Sequence, residues 1–304
     1  MKVTTRVNLH CHSVYSDGSL TPREIAELLA DDGVIVAALA DHDTVDGLLE
    51  FSKTLLRREV VSISGVEITT RCRSKEAHLL AYGFDPTNAE LLATLNSLRQ
   101  TQALDMQSVA GTIRRKGSPN SGETNPHTSA PAGQIDISEA IALVHRAGGR
   151  AFLAHPLLLQ PDFPELEKLL STLKEQGLDG VEAIYPFTED QRFRLCEMAR
   201  RLGLLVSAGT DMHDRKPQNQ GGWGMDMPSE IWKEFRDAVC SGNSSVPGVA
   251  SSGEAVRLQR RFKWRDFVFH FICPTLLAVG LFIAAIYAVF LPTFEKSLLD
   301  RKQR

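Results

Sequence analysis

Residues 34–43 read VIVAALADHD, a run of apolar side chains that stops abruptly on Asp41, His42 and Asp43. A strand apolar on both faces belongs to a sheet covered on both sides, the habit of parallel strands wrapped in helices. The preceding chain supplies such a helix. Thr21-Pro22-Arg23-Glu24 is a capping box with proline at the first helical position, and it predicts a helix to about Asp32 that Gly33 ends. Further upstream, residues 6–11 read as a strand finishing on histidines. Downstream, a helix over about 46–57 leads to a strand at 60–64 with Glu67 just beyond it, then to a strand at 76–82 that contains His78.

The same rhythm continues. A long helix covers about 88–116, and residues 117–134 (GSPNSGETNPHTSAPAGQ) read as a flexible loop without apolar periodicity. Helix 138–147, strand 150–154 ending at His155-Pro156, helix 163–176, strand 179–184 and helix 188–202 follow. Strand 204–209 runs into Gly209-Thr210-Asp211-Met212-His213, and a last helix covers about 228–240. Repeated strand–helix alternation implies an α/β fold of parallel strands with helices outside, either a barrel or an open sheet. Candidate ligands gather at strand C-termini, where barrels carry their functional groups, and this favours the barrel.

Composition narrows the function. Hydrophobic content of 43% and charged content of 23% predict a packed globule, and a net charge of −3 gives no support for a general nucleic-acid surface. Stable binding of duplex DNA is not expected. Cys11, Cys72, Cys196, Cys240 and Cys273 show no paired spacing, which suits reduced thiols; Cys11 reads as a small buried apolar residue. The first residues, MKVTTRVNLHCH, lack a signal-peptide core. Residues 1–242 read as the globular domain and 243–265 as a polar, then basic linker; 266–291 reads as a transmembrane helix and 292–304 as a short tail. Residues 267–291 contain no Asp, Glu, Lys or Arg and are long enough to span a hydrocarbon core. Arg257, Arg260, Arg261, Lys263 and Arg265 before the span predict a single-pass membrane protein with its N-terminal domain in the cytoplasm.

The chemistry is carried by His10-Cys11-His12. On a strand, residues two apart point to the same side, so two imidazoles project together. Asp211-Met212-His213 repeats that spacing, and Asp41-His42, Glu67, His78 and His155 add donors at other strand ends. Asp41 suits an acceptor that orients a histidine or a turn-forming residue, and Asp43 a turn or cap. Arg215 and Lys216 suit either a clamp for a substrate phosphate or a solvated charge pair. His127 reads as a loop residue, His145 as a packed or exposed helix residue, and Trp223 as a packing residue.

In that order, LHCHSVYSDGSLTP, ALADHDTVDG, GVEIT, HLLAYG, AHP and GTDMH resemble the PHP (polymerase and histidinol phosphatase) family over about residues 5–240. The resemblance implies a distorted (β/α)7 barrel holding three divalent metal ions. It implies a first metal at His10, His12, Glu67 and Asp211, a second at Glu67, His78 and His155, and a third at Asp17, His42 and His213. Catalytic roles then fall to Asp17, His42, Glu67, Asp211 and His213. Mixed imidazole and carboxylate donors suit Mn2+, Zn2+ or Fe2+ better than Mg2+. A metal pair ~3.5–4 Å apart would activate a bridging hydroxide for in-line attack on phosphorus, with no serine or cysteine nucleophile.

The expected reaction is hydrolysis of a phosphate ester. The small stand-alone bacterial members act on phosphomonoesters, nucleotides or RNA ends, so a small phosphorylated molecule, a nucleotide or a short RNA is the expected substrate. The insert between His78 and His155 is shorter than expected for that subgroup, which weakens the nucleotide assignment but not the ester chemistry. Two other readings compete. In one, the domain is the ligand sensor of a membrane signalling protein; the intact donor set argues for catalysis instead. In the other, it hydrolyses C–N bonds as amidohydrolases do. Those barrels usually carry a lysine where this chain has Glu67.

Overall fold

Helix α1 (Pro22–Asp31) begins where the capping box puts it. The Thr21 hydroxyl accepts from the Glu24 N–H, and the Glu24 carboxylate accepts from the Thr21 N–H. The computed structural model describes residues 3–101, 134–217 and 222–240. All lie within a compact unit, Met1–Ser252. The second unit, Gly253–Arg304, lies outside the described residues, as do residues 267–291, the linker at 243–265 and His127. No described helix is long and apolar enough to cross a membrane.

The strands are β1 (Thr4–Asn8), β2 (Val36–Leu39), β3 (Val61–Cys72), β4 (Lys75–Tyr82), β5 (Ile135–Asp136), β6 (Arg150–Leu153), β7 (Gly180–Ile184), β8 (Leu205–Ala208) and β9 (Met225–Pro228). The other helices are α2 (Leu48–Arg57), α3 (89–101), α4 (Ile137–Arg146), α5 (Pro156–Leu159), α6 (Phe163–Glu175), α7 (Glu189–Leu202) and α8 (Ser229–Val239). They form one nine-stranded sheet in the order β8-β7-β6-β4-β3-β2-β1-β9, with β5 beside β3. The short elements β5, β9 and α5 are not anticipated from the sequence.

The expectation of parallel strands throughout is corrected at two places, β4 in the middle of the sheet and β9 at its edge. β1, β2 and the first part of β3 run parallel, as do β6, β7 and β8, but β4 is antiparallel to both of its neighbours. Strand β3 is twelve residues long. Val61–Ser64 pair with β2, and Gly65–Cys72 then pair with β4 in a hairpin. Gly65 marks the change of partner, because a Cβ there would lie 2.6 Å from the Leu39 carbonyl oxygen. Glu67, expected beyond the strand, therefore sits inside it. The periodicity of one strand carries no signal for a switch of partner.

The sheet curls into a nearly closed barrel. Beyond the end of β1, Leu9 N–H donates to Ala208 O, and His10 O accepts from Asp211 N–H, each at 2.9 Å. Strand β9 occupies the earlier part of the same β1 edge, from Thr4 to Val7, in antiparallel register. An aromatic core of Tyr82, Phe152 and Phe235 packs with ring centroids 5.2 to 5.5 Å apart. The Tyr82 hydroxyl donates to Leu9 O at 3.1 Å, tying this core to the segment that carries His10. A second core of Leu20, Ile25, Leu29, Leu39, Phe51 and Leu55 joins α1 and α2 to the sheet.

Phe152 is fully buried. Phe152→Ala should lower unfolding stability by about 3–5 kcal/mol in a denaturant titration, through lost transfer energy and an unfilled cavity.

Candidate metal centre

The site is assembled where the strands end. His10 and His12 are fully buried and point into the barrel mouth, while Cys11 between them turns away, its Sγ 3.3 Å from Ala38 O. The loop after His12 is held from below by Asp41. Its carboxylate accepts from Ser13 N–H at 2.6 Å, from Ser13 Oγ at 2.7 Å and from Ser16 Oγ at 2.7 Å. Asp41 thus fixes the loop that presents Asp17, rather than orienting a histidine. Asp43, with φ of 53°, accepts the Thr69 N–H at 2.9 Å and locks the end of β2 to β3.

The donors converge on Glu67. His10 Nε2 lies 3.1 Å from Glu67 Oε2 and 3.3 Å from Asp211 Oδ1. His12 Nε2 lies 3.1 and 3.0 Å from the same two oxygens. On the other side, His78 Nδ1 and His155 Nε2 lie 3.1 and 3.2 Å from Glu67 Oε1, and 3.3 Å from each other. His213 Nε2 is 3.2 Å from Asp17 Oδ2. His42 sits between groups, with Nε2 at 3.3 Å from Glu67 Oε2 and 3.9 Å from Asp17 Oδ2. Ligand atoms fall within 4.8 Å of one another in three overlapping sets: His10, His12, Glu67 and Asp211; His12, Asp17, His42 and His213; and His42, Glu67 and His78. Eight of the nine residues expected as ligands fall in these sets, with His12, His42 and Glu67 each in two; His155 is in none of them but lies against Glu67 Oε1.

The donor set fits divalent cations. Nitrogen and oxygen donors bound ~2.1 Å from a shared ion stand roughly 3.0–3.4 Å from one another, the spacing seen here. Both ring nitrogens of His12 and Nδ1 of His42 and His155 are buried without a hydrogen-bond partner among the described residues. Burial of polar atoms in that state is costly unless a ligand supplies the missing interaction. Several outer nitrogens are already engaged, which aims the inner ones at the centre. His10 Nδ1 meets Glu182 Oε1 at 3.0 Å, His213 Nδ1 meets Asp211 O at 2.8 Å and His78 Nε2 meets Glu76 Oε1 at 3.3 Å.

Electrostatics agree. Burial pulls the His12 pKa down, but the facing Asp211 and Glu67 carboxylates outweigh it and push the value up to about 9. His78 is likewise opposed by burial and raised to about 10 by Glu67 and Glu76. His42 goes the other way, to about 4, because burial and the neighbouring His12 and His78 outweigh the carboxylates. In the metal-free protein, protons stand in for the missing positive charge.

The remaining sequence candidates lie at the edge. Arg215 pairs with Glu24 at 2.7 Å on the surface, and Lys216 is exposed beside it. His145 bonds Asp179 at 2.7 Å and meets none of the cluster residues, and Trp223 packs against the α1–α2 core. Sequence reasoning missed Glu182 and Tyr185. Glu182 is a fully buried carboxylate on β7, and the Tyr185 hydroxyl donates to Asp211 Oδ2 at 3.1 Å. The available signal was a lone charge within GVEAI, otherwise an apolar strand.

Fold and site together define a metal-dependent phosphoesterase, a hydrolase of phosphate esters. The profile of the PHP domain matches residues 8–172, and the chain belongs to that family. It is 30% identical to a 5'-3' exoribonuclease of Haemophilus influenzae, over 77% of this chain and 100% of the relative. It is 27% identical to a 3',5'-nucleoside bisphosphate phosphatase of Chromobacterium violaceum, over 77% of this chain and 97% of the relative. A solved structure described as an amidohydrolase from Chromobacterium violaceum, with bound sulfate, superposes with a TM-score of 0.63 at 26% identity, over 76% of this chain and 96% of its own.

Imidazole ligands must be neutral to bind metal, while His12 and His78 hold protons at pH 7 in the metal-free state. Metal loading should therefore release protons, measured by calorimetry in buffers of differing ionisation enthalpy. Apparent affinity should rise about tenfold per pH unit for each proton displaced as pH climbs from about 7 to about 9.

Proposed function

We propose that this chain hydrolyses a phosphate monoester or terminal phosphodiester on a nucleotide or short RNA, with the His10–His213 cluster holding up to three divalent metals, Mn2+ foremost. The observation that carries the reading is the convergence of His10, His12, His42, His78 and His155 on the buried Glu67 carboxylate. When bound, the metals supply Lewis acidity toward the phosphoryl oxygens and lower the pKa of the attacking water.

The protein's own groups do the rest. Glu67 offers one carboxylate oxygen to each side of the cluster. Tyr185 holds Asp211 Oδ2, leaving Oδ1 toward His10 and His12. Asp17 and His213 form the open lip, where Asp17 is half exposed and meets an incoming substrate first. Arg215 and Lys216 lie just past that lip and would hold a second phosphate of the substrate, with Arg215 released from Glu24. Names of relatives that act on RNA and on a nucleoside bisphosphate support this class. We also propose attachment to a membrane through residues 267–291, with the domain in the cytoplasm; the uninterrupted apolar sequence supports it.

The test is phosphate release by the full-length chain with Mn2+ on p-nitrophenyl phosphate, histidinol phosphate, nucleoside 3',5'-bisphosphates and short RNA. Release should need metal, favour the nucleotides and fall at least about a hundredfold in Asp211→Asn and His12→Ala. Metal loading without turnover on any phosphoester would refute the proposal. Deletion of 267–291 should move the chain from the membrane to the soluble fraction of cells; unchanged partition would refute the anchor.

A further inference from the structure

Glu182 stands in the middle of β7, closed off from solvent. Its two carboxylate oxygens serve different parts of the chain. Oε1 faces His10 Nδ1 at 3.0 Å, and Oε2 accepts the His155 backbone N–H at 2.9 Å. His10 follows β1 and His155 follows β6, so one side chain reaches two strand ends. The His155 backbone has φ of 24° and ψ of 61°, a conformation an L-residue adopts only when its surroundings impose it. Gly209 keeps the space for this arrangement: a Cβ there would come within 2.3 Å of His10 Cβ and 2.8 Å of Glu182 Oε1.

We propose that Glu182 is the positioning residue of the metal centre, joining the ligands His10 and His155 into one rigid unit without itself touching metal or substrate. A carboxylate offers acceptors alone, so Nδ1 of His10 keeps a proton, and Nε2, which faces Glu67 and Asp211, is the atom that would bind a metal. The second oxygen holds the bend that carries the His155 ring to Glu67 Oε1. His10 belongs to the set with Asp211 and His155 lies against His78, so Glu182 sets the spacing between the two sides of the Glu67 carboxylate. The inference rests on the cluster being a metal site, though not on the identity of the hydrolysed bond.

Glu182→Gln is the discriminating variant, because it keeps the shape and replaces one acceptor by a donor. Either the new amide faces His10 and forces the other tautomer, or it faces the His155 N–H and releases the bend. In the full-length protein, Mn2+ affinity by calorimetry and metal per chain after dialysis should both fall, the affinity by about 10–100-fold. Histidine side-chain 15N shifts should show a change of His10 tautomer or a shift of the His155 ring, with circular dichroism unchanged. Glu182→Asp keeps both acceptors and should retain the His10 tautomer with intermediate affinity; it also serves if the Gln variant does not fold. Wild-type metal affinity together with unchanged His10 and His155 signals in a folded Gln variant would overturn the proposal. So would an Asp variant that has lost the tautomer. Because metal binding is read directly, absence of phosphoester turnover leaves this test intact.

Discussion

A carboxylate with no access to water cannot stay charged without nearby positive charge, and Glu67 is such a group. Its pKa is held well below the ordinary carboxylate range: burial opposes ionisation, and the surrounding imidazoles of His10, His42 and His78 outweigh it. The imidazoles of His12, His42 and His155 are themselves confined, each with a ring nitrogen that meets no hydrogen-bond partner among the described residues. Each group is tolerable only because the others are present. A divalent cation among them would satisfy the carboxylates and leave the imidazoles neutral, the state in which they act as ligands. The centre is a packing of opposite charges before it is a catalyst.

The barrel exists to hold that arrangement at its mouth. His10 and His12 follow β1, His42 follows β2, Glu67 lies in β3 and His78 in β4, His155 follows β6, and Asp211 with His213 follow β8. No two neighbouring strands supply the whole of any ligand set. A curled sheet whose ends meet at Leu9 and Ala208 is therefore needed to bring the first and last motifs together. Local devices then set the fine positions. Asp41 grips the loop that carries Asp17, Tyr185 turns Asp211, and Asp211 and His155 both adopt positive φ at the point where they enter the centre. Strain of this kind is stable only where the surrounding bonds over-determine it.

Among the described residues, no serine or cysteine nucleophile appears in the donor sets, and Cys11, the nearest thiol in sequence, is turned into the helix-packed core. Charge neutralisation and positioning are what such a site supplies, and they are the main requirements of phosphoryl transfer. The donors around Glu67 are buried, while Asp17, Arg215 and Lys216 are more exposed at the rim.

Much of this was legible in the sequence because it depends on local patterns. The Thr21–Glu24 capping box, the apolar run before Asp41, the His10/His12 pair and the Asp211/His213 pair each express a rule that acts over a few residues. Every residue singled out as a ligand lies in the cluster, since strand alternation and strand ends determine where such side chains point. What the sequence could not express is pairing across distance. The change of partner at Gly65, which places Glu67 inside β3, depends on the close approach of Leu39 from another strand. Asp41 suits either a partner for a histidine or a turn in the sequence, and only the fold puts Ser13 and Ser16 against it. Glu182 and Tyr185 passed unnoticed in β7 and its following turn, because a buried acid is informative only once its partners on β1 and β6 are known. The sequence by itself determined which metal-type donors stand near strand ends and where most of the strands and helices lie. Only the tertiary structure decided which nitrogen of each histidine faces the centre, because that choice is made by hydrogen bonds between segments far apart in the chain.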